Sequence, residues 1–219
     1  MEALVPGSQL AIDLAPTGEP LNSKFSTAQL QTIIHSGIDR FMFMYYGLCG
    51  HHYSGWSNSG LPFIQHALEG VVTTMGIPTN QMVAMWPWFG CDFVCPPGGC
   101  HLLKVDCGGV DCKHNGTGPG IAQIQPLLAQ ATATGYNTTY PSPWFEYTKE
   151  ITVATAAGVA TNPAATMPDV AALRGAGTVT AQQGHIVWYD DERSLLFKHR
   201  WALENQSFAG VGIWTPGKY

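Results

Sequence analysis

The sequence predicts a parallel α/β fold, on the strength of three observations. Residues 8–89 alternate strand, helix, strand, helix, strand, which is the order that parallel sheets with crossover helices require. The predicted strands are continuous apolar runs, as expected for strands that are buried on both faces. Hydrophobic residues make up 45% of the chain and charged residues only 11%, so the chain has ample material for a core.

Residues 8–89 supply three predicted strands joined by two predicted helices. Ser26 or Thr27 is a suitable N-cap for the first helix, Gly37 is its stop, and Gly76 ends the second helix. The middle strand, Phe-Met-Phe-Met-Tyr-Tyr, is short and is followed by glycine, which favours a strand over a helix. The elements are a strand at 8–14, a helix at 25–36, a strand at 41–46, a helix at 61–75 and a strand at 82–89.

The second half of the chain departs from this alternation. Its middle is rich in loop-forming residues and weakly patterned, and order resumes where Asp190 or Asp191 can cap a helix. The predictions are a Gly/Pro/Cys-rich loop at 91–117, a helix at 121–134, a flexible or low-complexity insertion at 151–183, a strand at 185–189, a helix at 192–205 and a strand at 210–214.

Cysteines and glycosylation sequons indicate a protein of the secretory pathway. The cysteine count is even, and crowding of the cysteines in one loop-rich stretch favours disulfides and an oxidising compartment. Sequons occur at Asn115, Asn137 and Asn205. The start, Met-Glu-Ala-Leu-Val-Pro-Gly, has no signal-peptide pattern, so we expect that an N-terminal part is missing. The candidate disulfide residues are Cys49, Cys91, Cys95, Cys100, Cys107 and Cys112.

Charge and hydropathy argue against several classes of partner. The net charge is −5 and no basic run occurs, so we expect no nucleic-acid partner. No apolar stretch approaches the roughly 20 residues of a transmembrane helix, so we expect no membrane partner. The cysteines lack the paired spacing of zinc sites, and we expect neither a metal nor a cofactor. This expectation covers the histidines that could suggest a metal site, which are His51, His52, His101 and His114.

Four segments, taken in order, resemble the last four strands of glycoside hydrolase family 18. In residues 82–95, Met-Val-Ala-Met-Trp-Pro-Trp-Phe-Gly followed by Asp-Phe-Val-Cys is similar to the seventh strand in the di-N-acetylchitobiase branch. In residues 187–214, a strand ending in Tyr-Asp leads into a helix, and the last strand ends in tryptophan. Residues 39–47 resemble the sixth strand and residues 6–15 the fifth, with a gap in the resemblance over about residues 150–183.

The resemblance implies a (β/α)8 TIM-barrel-derived fold that is partial. We expect strands five to eight, with a long excursion between strands seven and eight at about residues 91–184. Residues 1–219 as a whole would then be the C-terminal part of a family 18 catalytic domain. A complete barrel takes about 250 residues, and the residues outside the excursion supply only about half of one.

Two motifs of the family are absent. The signature Asp-x-x-Asp-x-Asp-x-Glu has no match, and the sixth-strand motif Met-x-Tyr-Asp ends in Gly47 here. The resemblance implies substrate-assisted, retaining hydrolysis of N-acetylglucosamine oligosaccharides, in which a Glu protonates the leaving oxygen and the substrate's acetamide oxygen attacks the anomeric carbon. Because that Glu is absent, we expect the chain alone to be inactive.

The resemblance also assigns roles to site residues. The Tyr46 hydroxyl would steady the acetamide oxygen, Met44 would line the pocket beside the acetamide, and Trp214 would be the floor on which a sugar stacks. Of Trp86 and Trp88, only one can easily face the site, and we prefer Trp88. The alternative for each of these residues is packing, under a loop for Tyr46 and in the core for the others.

Three neighbouring residues have simpler interpretations. Strand alternation turns Tyr45 to the face opposite Tyr46, where it should pack. Asp13 lies within a strand predicted to be buried, and it should have a partner, either a group in the barrel interior or a sugar. Asp190 most simply caps a helix.

The resemblance extends to some of the cysteines. Cys95, Cys100 and Cys112 resemble cysteines of the family, whereas Cys91 and Cys107 are additions, and a bridge between those two is one option. Pairing does not follow from the sequence itself. The family and the cysteines together imply a lysosomal or extracellular protein.

Three functions are compatible with these features. The chain could be a fragment of a chitobiase- or chitinase-like glycosidase, a non-catalytic chitin- or glycan-binding lectin-like module, or a structural partner that completes its barrel with another chain. Self-association through open barrel edges belongs to the last case. The implied ligand is an N-acetylglucosamine oligosaccharide, namely chitobiose, a longer chitin chain or an N-glycan core.

Overall fold

The computed structural model describes residues 8–17, 26–50, 56–96, 99–104, 118–155 and 177–214. Two β-sheets and the helices packed on them make up this part of the chain. The first half contains β1 Ala11–Leu14, α1 Thr27–Ile34, β2 Arg40–Met44, α2 Leu61–Gly70 with a π-helical continuation Val71–Met75, and β3 Met82–Pro87. The second half contains β4 Cys91–Val94, α3 Ile121–Leu128, β5 Ala133–Asn137, β6 Ser142–Thr155, β7 Gly177–Trp188, α4 Glu192–Arg200 with a π-helical continuation Trp201–Asn205, and β8 Gly210–Trp214.

The main sheet is parallel and has the strand order β1-β2-β3-β8. Phe41 of β2 lies beside Ile12 of β1 and beside Met82 of β3, and Pro87 of β3 lies beside Trp214 of β8. This is the order of neighbouring strands in a (β/α)8 barrel, interrupted by a long excursion before the last strand. The predicted fold class is therefore confirmed, and within the described residues the barrel is not closed.

One face of the main sheet carries the hydrophobic core. Leu14, Phe41, Phe43 and Met82 are fully buried there. They pack against apolar residues of α1, α2 and α4, which cover this face as crossover helices do. The predicted continuous apolar runs thus correspond to strands of the parallel sheet.

The other face of the main sheet corresponds to the inside of a barrel. Met42 and Met44 of β2 and Met85 of β3 are only half-buried on it, and Trp214 at the end of β8 is 49% exposed. These side chains keep contact with solvent because the described residues provide only one wall of the barrel.

The excursion forms a second, antiparallel sheet with the strand order β4-β7-β6-β5. The centre of this sheet is a long pair of antiparallel strands, β6 and β7. Their pairing runs from Trp144 opposite Trp188 to Thr155 opposite Gly177. Helix α3 packs on one face of this sheet, with Ile124 buried against Phe145. The strand predicted at 185–189 is the end of β7, so it belongs to this sheet and not to the parallel one.

Several predictions for the excursion are wrong. Residues 151–155 and 177–183 were expected in a flexible insertion but lie in β6 and β7, and residues 91–94 were expected in a loop but form β4. The helix predicted at 121–134 ends at Leu128, and residues 133–137 form β5. The hairpin ladder stabilises strands through paired backbone groups, which need no strong apolar pattern in the sequence. Thr and Val, which are frequent here, also favour strands.

The caps of α1 and α2 agree with the sequence predictions, whereas the cap of α4 is only one of the two predicted residues. Ser26 caps α1 in a reciprocal arrangement with Gln29, and Gly76 adopts φ +71° after the π-helical end of α2. Of the two candidate caps of α4, Asp191 is the one used, since its side chain accepts a hydrogen bond from the backbone N–H of Ser194. Asp190 has a different role, so its prediction as a cap is wrong.

One disulfide links the segment after β2 to the antiparallel sheet, and a second lies within the excursion. Cys49 is bonded to Cys91, and Cys95 is bonded to Cys100. The suggested bridge between Cys91 and Cys107 is therefore excluded, because Cys91 pairs with a cysteine that follows β2. Cys107, and with it Cys112, lies outside the described residues.

At least four of the six cysteines should be oxidised in protein made through a secretory route, since two disulfides already account for four. The bonds restrict the unfolded chain in a region with a small core of its own. Alkylation under denaturing conditions followed by intact-mass measurement counts the free thiols. Five or six free thiols would contradict the disulfides and favour a reducing compartment.

Candidate functional site

Two aromatic side chains meet where the parallel strands end. Tyr46 follows β2 and Trp214 ends β8, and their rings are parallel within 7° with centroids 6.2 Å apart. The ring of Phe89 meets Tyr46 edge-on at 5.8 Å. Carboxyl ends of parallel strands are where barrel sites form, and we call the Tyr46–Trp214 pair the aromatic platform.

The backbone of β3 and β8 fixes the platform. The N–H of Trp88 donates to the carbonyl of Trp214 over 2.6 Å, just beyond the point where Pro87 pairs with Trp214. This holds the last residue of β8 in the sheet while the indole stays half-exposed. An indole face that is held rigidly and open to solvent is suited to stacking on the apolar face of a sugar.

The two consecutive tyrosines point to opposite faces, as strand alternation predicts. Tyr45 is fully buried against Phe43, Trp86 and Phe208. Burial raises the pKa of Tyr45, so it stays protonated, and its hydroxyl has no hydrogen-bond partner among the described residues. Tyr46 is half-buried, and burial, followed by the negative charge of Asp13, raises its pKa as well. Tyr46 therefore keeps its hydroxyl proton at neutral pH and can donate it in a hydrogen bond.

The other predicted site residues flank the platform. Met44 is half-buried and lies beside Met85 in the register of β2 and β3. Trp86 is fully buried in the main core, whereas Trp88 is half-buried and packs against the edge of that core. Of the two tryptophans, Trp88 is thus the one with surface left for a ligand, although it also has the packing role that was its alternative.

The burial of Asp13 differs from what the sequence predicted. This residue was expected inside a buried strand with a partner, but its side chain is exposed. The reason is that Asp13 pairs in register with Met42 on the open face of the main sheet, where the second wall of a barrel would be. Its carboxylate is close enough to Tyr46 for its charge to act on the tyrosine hydroxyl.

The sequence did not reveal a buried polar cluster that joins the two sheets. The Lys198 ammonium of α4 is fully buried and forms an ion pair with Asp190. It also donates to the hydroxyl of Ser59 over 2.6 Å and to that of Ser142 over 3.3 Å. Ser59 donates in turn to Asp190, and Ser57 shares a hydrogen bond of 2.7 Å with Ser142. We call these five residues the buried polar cluster.

A second polar group that the sequence did not reveal lies in the antiparallel sheet. Asp92 of β4 accepts a hydrogen bond from the Tyr147 hydroxyl over 2.7 Å and lies 3.0 Å from Nδ1 of His185. The only signal in the sequence was an acid in an otherwise apolar strand. The partners are distant in the chain, and antiparallel pairing brings them onto one face.

Only some of the residues in the metal and glycosylation predictions lie in the part of the chain that the structure describes. Among the residues that the structure describes, no group of three His, Cys, Asp or Glu side chains is placed to hold a metal ion. His51, His52 and His114 lie outside those residues, as does the sequon at Asn115. The side chain of Asn205 is exposed, and the carbonyl of the Asn137 side chain accepts backbone hydrogen bonds in the turn after β5. No helix within the described ranges is long and apolar enough to cross a membrane.

Solved structures with a similar fold include chitinases. The chain superposes on a family 18 chitinase from Cycas revoluta in complex with (GlcNAc)3 with a TM-score of 0.59 at 14% identity, covering 94% of this chain and 51% of that one. A chitinase from Chromobacterium violaceum gives a TM-score of 0.56 at 16% identity, covering 96% of this chain and 51% of that one. The spore cortex-lytic enzyme SleL from Bacillus megaterium gives 0.52 at 18% identity, covering 94% and 37%.

These likenesses establish the fold. At such identities they do not establish the activity, and the chain spans only 37% to 51% of the length of these three proteins. No protein-family model matches the sequence, and no curated protein matches it. The described residues thus have the fold of part of a barrel like that of these chitinases, with a small antiparallel sheet inserted before the last strand.

Proposed function

We propose that this chain carries the sugar-binding part of a glycosidase site for N-acetylglucosamine oligosaccharides, of the kind found in the di-N-acetylchitobiase branch of family 18. The observation that carries the proposal is the aromatic platform at the carboxyl ends of β2 and β8. Structures of the Cycas revoluta chitinase with (GlcNAc)3 and (GlcNAc)4 support a sugar ligand for this fold.

In this proposal each platform residue has a distinct task. The exposed indole of Trp214 stacks under a sugar ring, which excludes water from one face of the ring. The protonated hydroxyl of Tyr46 donates a hydrogen bond to the acetamide oxygen and orients it toward the anomeric carbon. Met44 contributes apolar contact beside the acetamide methyl group.

The missing step is proton donation to the leaving oxygen. A general acid typically contributes about 10²–10⁴-fold in rate, and no stretch of the sequence matches the Asp-x-x-Asp-x-Asp-x-Glu signature that provides it. Gly47 also replaces the aspartate that follows the sixth-strand tyrosine in the family. The chain by itself therefore binds the sugar in this proposal without cleaving it.

The purified chain should show no turnover of a fluorogenic chitobioside, yet it should bind chitotetraose. Trp214→Ala should weaken that binding roughly tenfold or more, because it removes the stacking surface. Phe197→Ala is the control, since Phe197 is equally exposed but lies on α4. Fluorimetry measures turnover and calorimetry measures affinity.

Two results would contradict the proposal. Turnover comparable with that of an intact family member, lost in Tyr46→Phe, would show that the chain contains its own acid. Equal affinities of Trp214→Ala and Phe197→Ala for chitotetraose would show that the aromatic platform does not bind sugar.

A lectin-like module is the second candidate, and Gly47 in place of the sixth-strand aspartate favours it. In that case the platform binds chitin or an N-glycan core, and no hydrolysis follows. A glycan array separates this candidate from a purely structural partner, which would bind no glycan. We place the protein in the lysosome or outside the cell in either case, and the Cys49–Cys91 and Cys95–Cys100 bonds support that location.

A further inference from the structure

The antiparallel sheet has a groove of its own, separate from the aromatic platform. Asp92 and Tyr147 lie in its wall on the sheet side, and Gln123, Leu127 and Gln130 lie in its wall on the α3 side. The volume is about 520 Å³, which is enough for one or two sugar rings. We call it the insertion groove, and no platform residue lines it.

Asp92 is held in the groove as an oriented hydrogen-bond acceptor. One carboxylate oxygen accepts from the Tyr147 hydroxyl at 2.7 Å and the other lies 3.0 Å from His185 Nδ1. The Tyr147 and His185 rings lie 4.9 Å apart, centroid to centroid. Burial, and then the hydrogen bond to Asp92, raises the pKa of Tyr147, so the phenol keeps its proton. Tyr147 thus donates to one carboxylate oxygen and the His185 ring lies within hydrogen-bond distance of the other, so both neighbours fix the direction of the carboxylate.

The same arrangement leaves hydrogen-bonding capacity unused. Each carboxylate oxygen can accept more than one hydrogen bond, and the Asp92 side chain retains 12% exposure. A buried acceptor with unused lone pairs gains from a ligand that brings hydroxyl donors.

The remaining lining favours a neutral ligand with many hydroxyl groups. Lys149 and Glu150 offset each other and the Asp92 carboxylate is already engaged by Tyr147 and His185, so the lining does not select strongly for an ionic ligand. The amide of Gln130 donates to the Pro126 carbonyl over 3.2 Å, which orients this side chain at the end of α3. Leu127 supplies an apolar surface for the C–H face of a ring.

We infer that the insertion groove is a second carbohydrate-binding site, in which Asp92 accepts hydrogen bonds from the hydroxyl groups of a neutral sugar and Gln130 and Leu127 contact it from α3. This site is independent of the aromatic platform and does not rest on the proposed function. It would let one chain hold two segments of a polysaccharide, or two chains of it, at once.

The test uses the full chain carrying Trp214→Ala, which removes the platform as a binding surface. Chitotetraose, cellotetraose and the cationic glucosamine tetramer are titrated by ligand-observed NMR. Both neutral sugars should still bind, and adding Gln130→Ala should weaken them about fivefold, the effect of one ordinary hydrogen bond. Asp92→Asn should weaken them more. Gln125→Ala is the matched control, because Gln125 is also exposed, lies on α3 just before Gln130 and does not line the groove.

The outcomes separate this site from the platform. Loss of all sugar binding in Trp214→Ala would overturn the second site and leave the proposed function intact. Equal binding by the Gln130→Ala and Gln125→Ala proteins would also overturn it, and so would binding of the cationic tetramer alone. Because Gln130 is on the surface, its variant keeps the test valid even if Asp92→Asn fails to fold.

Discussion

Replacing Lys198 with methionine should destabilise the protein by about 3–5 kcal/mol, the usual cost of removing one partner from a buried ion pair. Lys198 is fully buried, and the substitution leaves the Asp190 carboxylate without its cation in a site that water does not reach. Ser59 and Ser142 would lose a donor at the same time. Chemical denaturation monitored by tryptophan fluorescence measures the free energy of unfolding.

A double-mutant cycle separates pairing from packing. Asp190→Asn alone should also be destabilising, but Lys198→Met combined with Asp190→Asn should cost clearly less than the sum of the two changes. Lys149→Met is the control, since Lys149 is exposed on β6 and its loss should change stability by less than about 0.5 kcal/mol. Strict additivity of the two changes would show that the ion pair does not form.

Burial also determines how Lys198 behaves. Loss of hydration lowers the pKa of this lysine, and the negative charge of Asp190 works in the opposite direction. The cluster joins the segment before α2, the start of β6 and helix α4, which are distant in sequence. It therefore ties the antiparallel sheet to the helical layer of the main sheet.

The sequence predicted the parallel sheet well because its central strands are apolar on both faces, although the described residues cover only one of these faces. The run Phe-Met-Phe-Met and the start of β3 are apolar in every position. Each run is too short for a helix and is bounded by turn residues, which favours a strand. Strand period alone also separated Tyr45 from Tyr46, since neighbouring side chains in a strand point to opposite faces.

The antiparallel insertion could not be predicted in the same way. Residues 151–155 and 177–183 owe their structure to a backbone ladder between segments that are far apart in sequence, and such pairing leaves little local signal. Asp191 caps the helix because Asp190 is engaged elsewhere. Asp190 is the buried ion-pair partner of Lys198, which lies eight residues later in the chain. The Asp92–Tyr147–His185 group was hidden for the same reason.

The isolated chain should self-associate, and we propose that its open strand edges are the cause. Among the described residues, β1 pairs only with β2 and β8 only with β3, so each leaves one row of backbone groups unpaired. Unpaired edges template pairing with other chains. Size-exclusion chromatography with light scattering should show dimers or larger species at micromolar concentration.

The open face adds to this tendency. Met42, Met44 and Met85 are half-exposed where a barrel would cover them. At roughly 25 cal/mol per Å² of apolar surface, leaving a whole sheet face in water costs an amount comparable with the 5–15 kcal/mol stability of a typical domain. A second copy that pairs its β8 with β1 would cover both the edge and the face.

A charge placed on the edge tests this mechanism. Ala11→Glu adds a carboxylate at an exposed position of β1, beside Arg40 in the register, so it should be tolerated in the fold but costly in a seam between two copies. Thr74→Glu makes the same charge change at an exposed helical position. Association should weaken in Ala11→Glu and not in Thr74→Glu. A wild-type chain that unfolds cooperatively as a monodisperse monomer would mean that the main sheet needs no further wall, and the partial-barrel account of its stability would then be wrong.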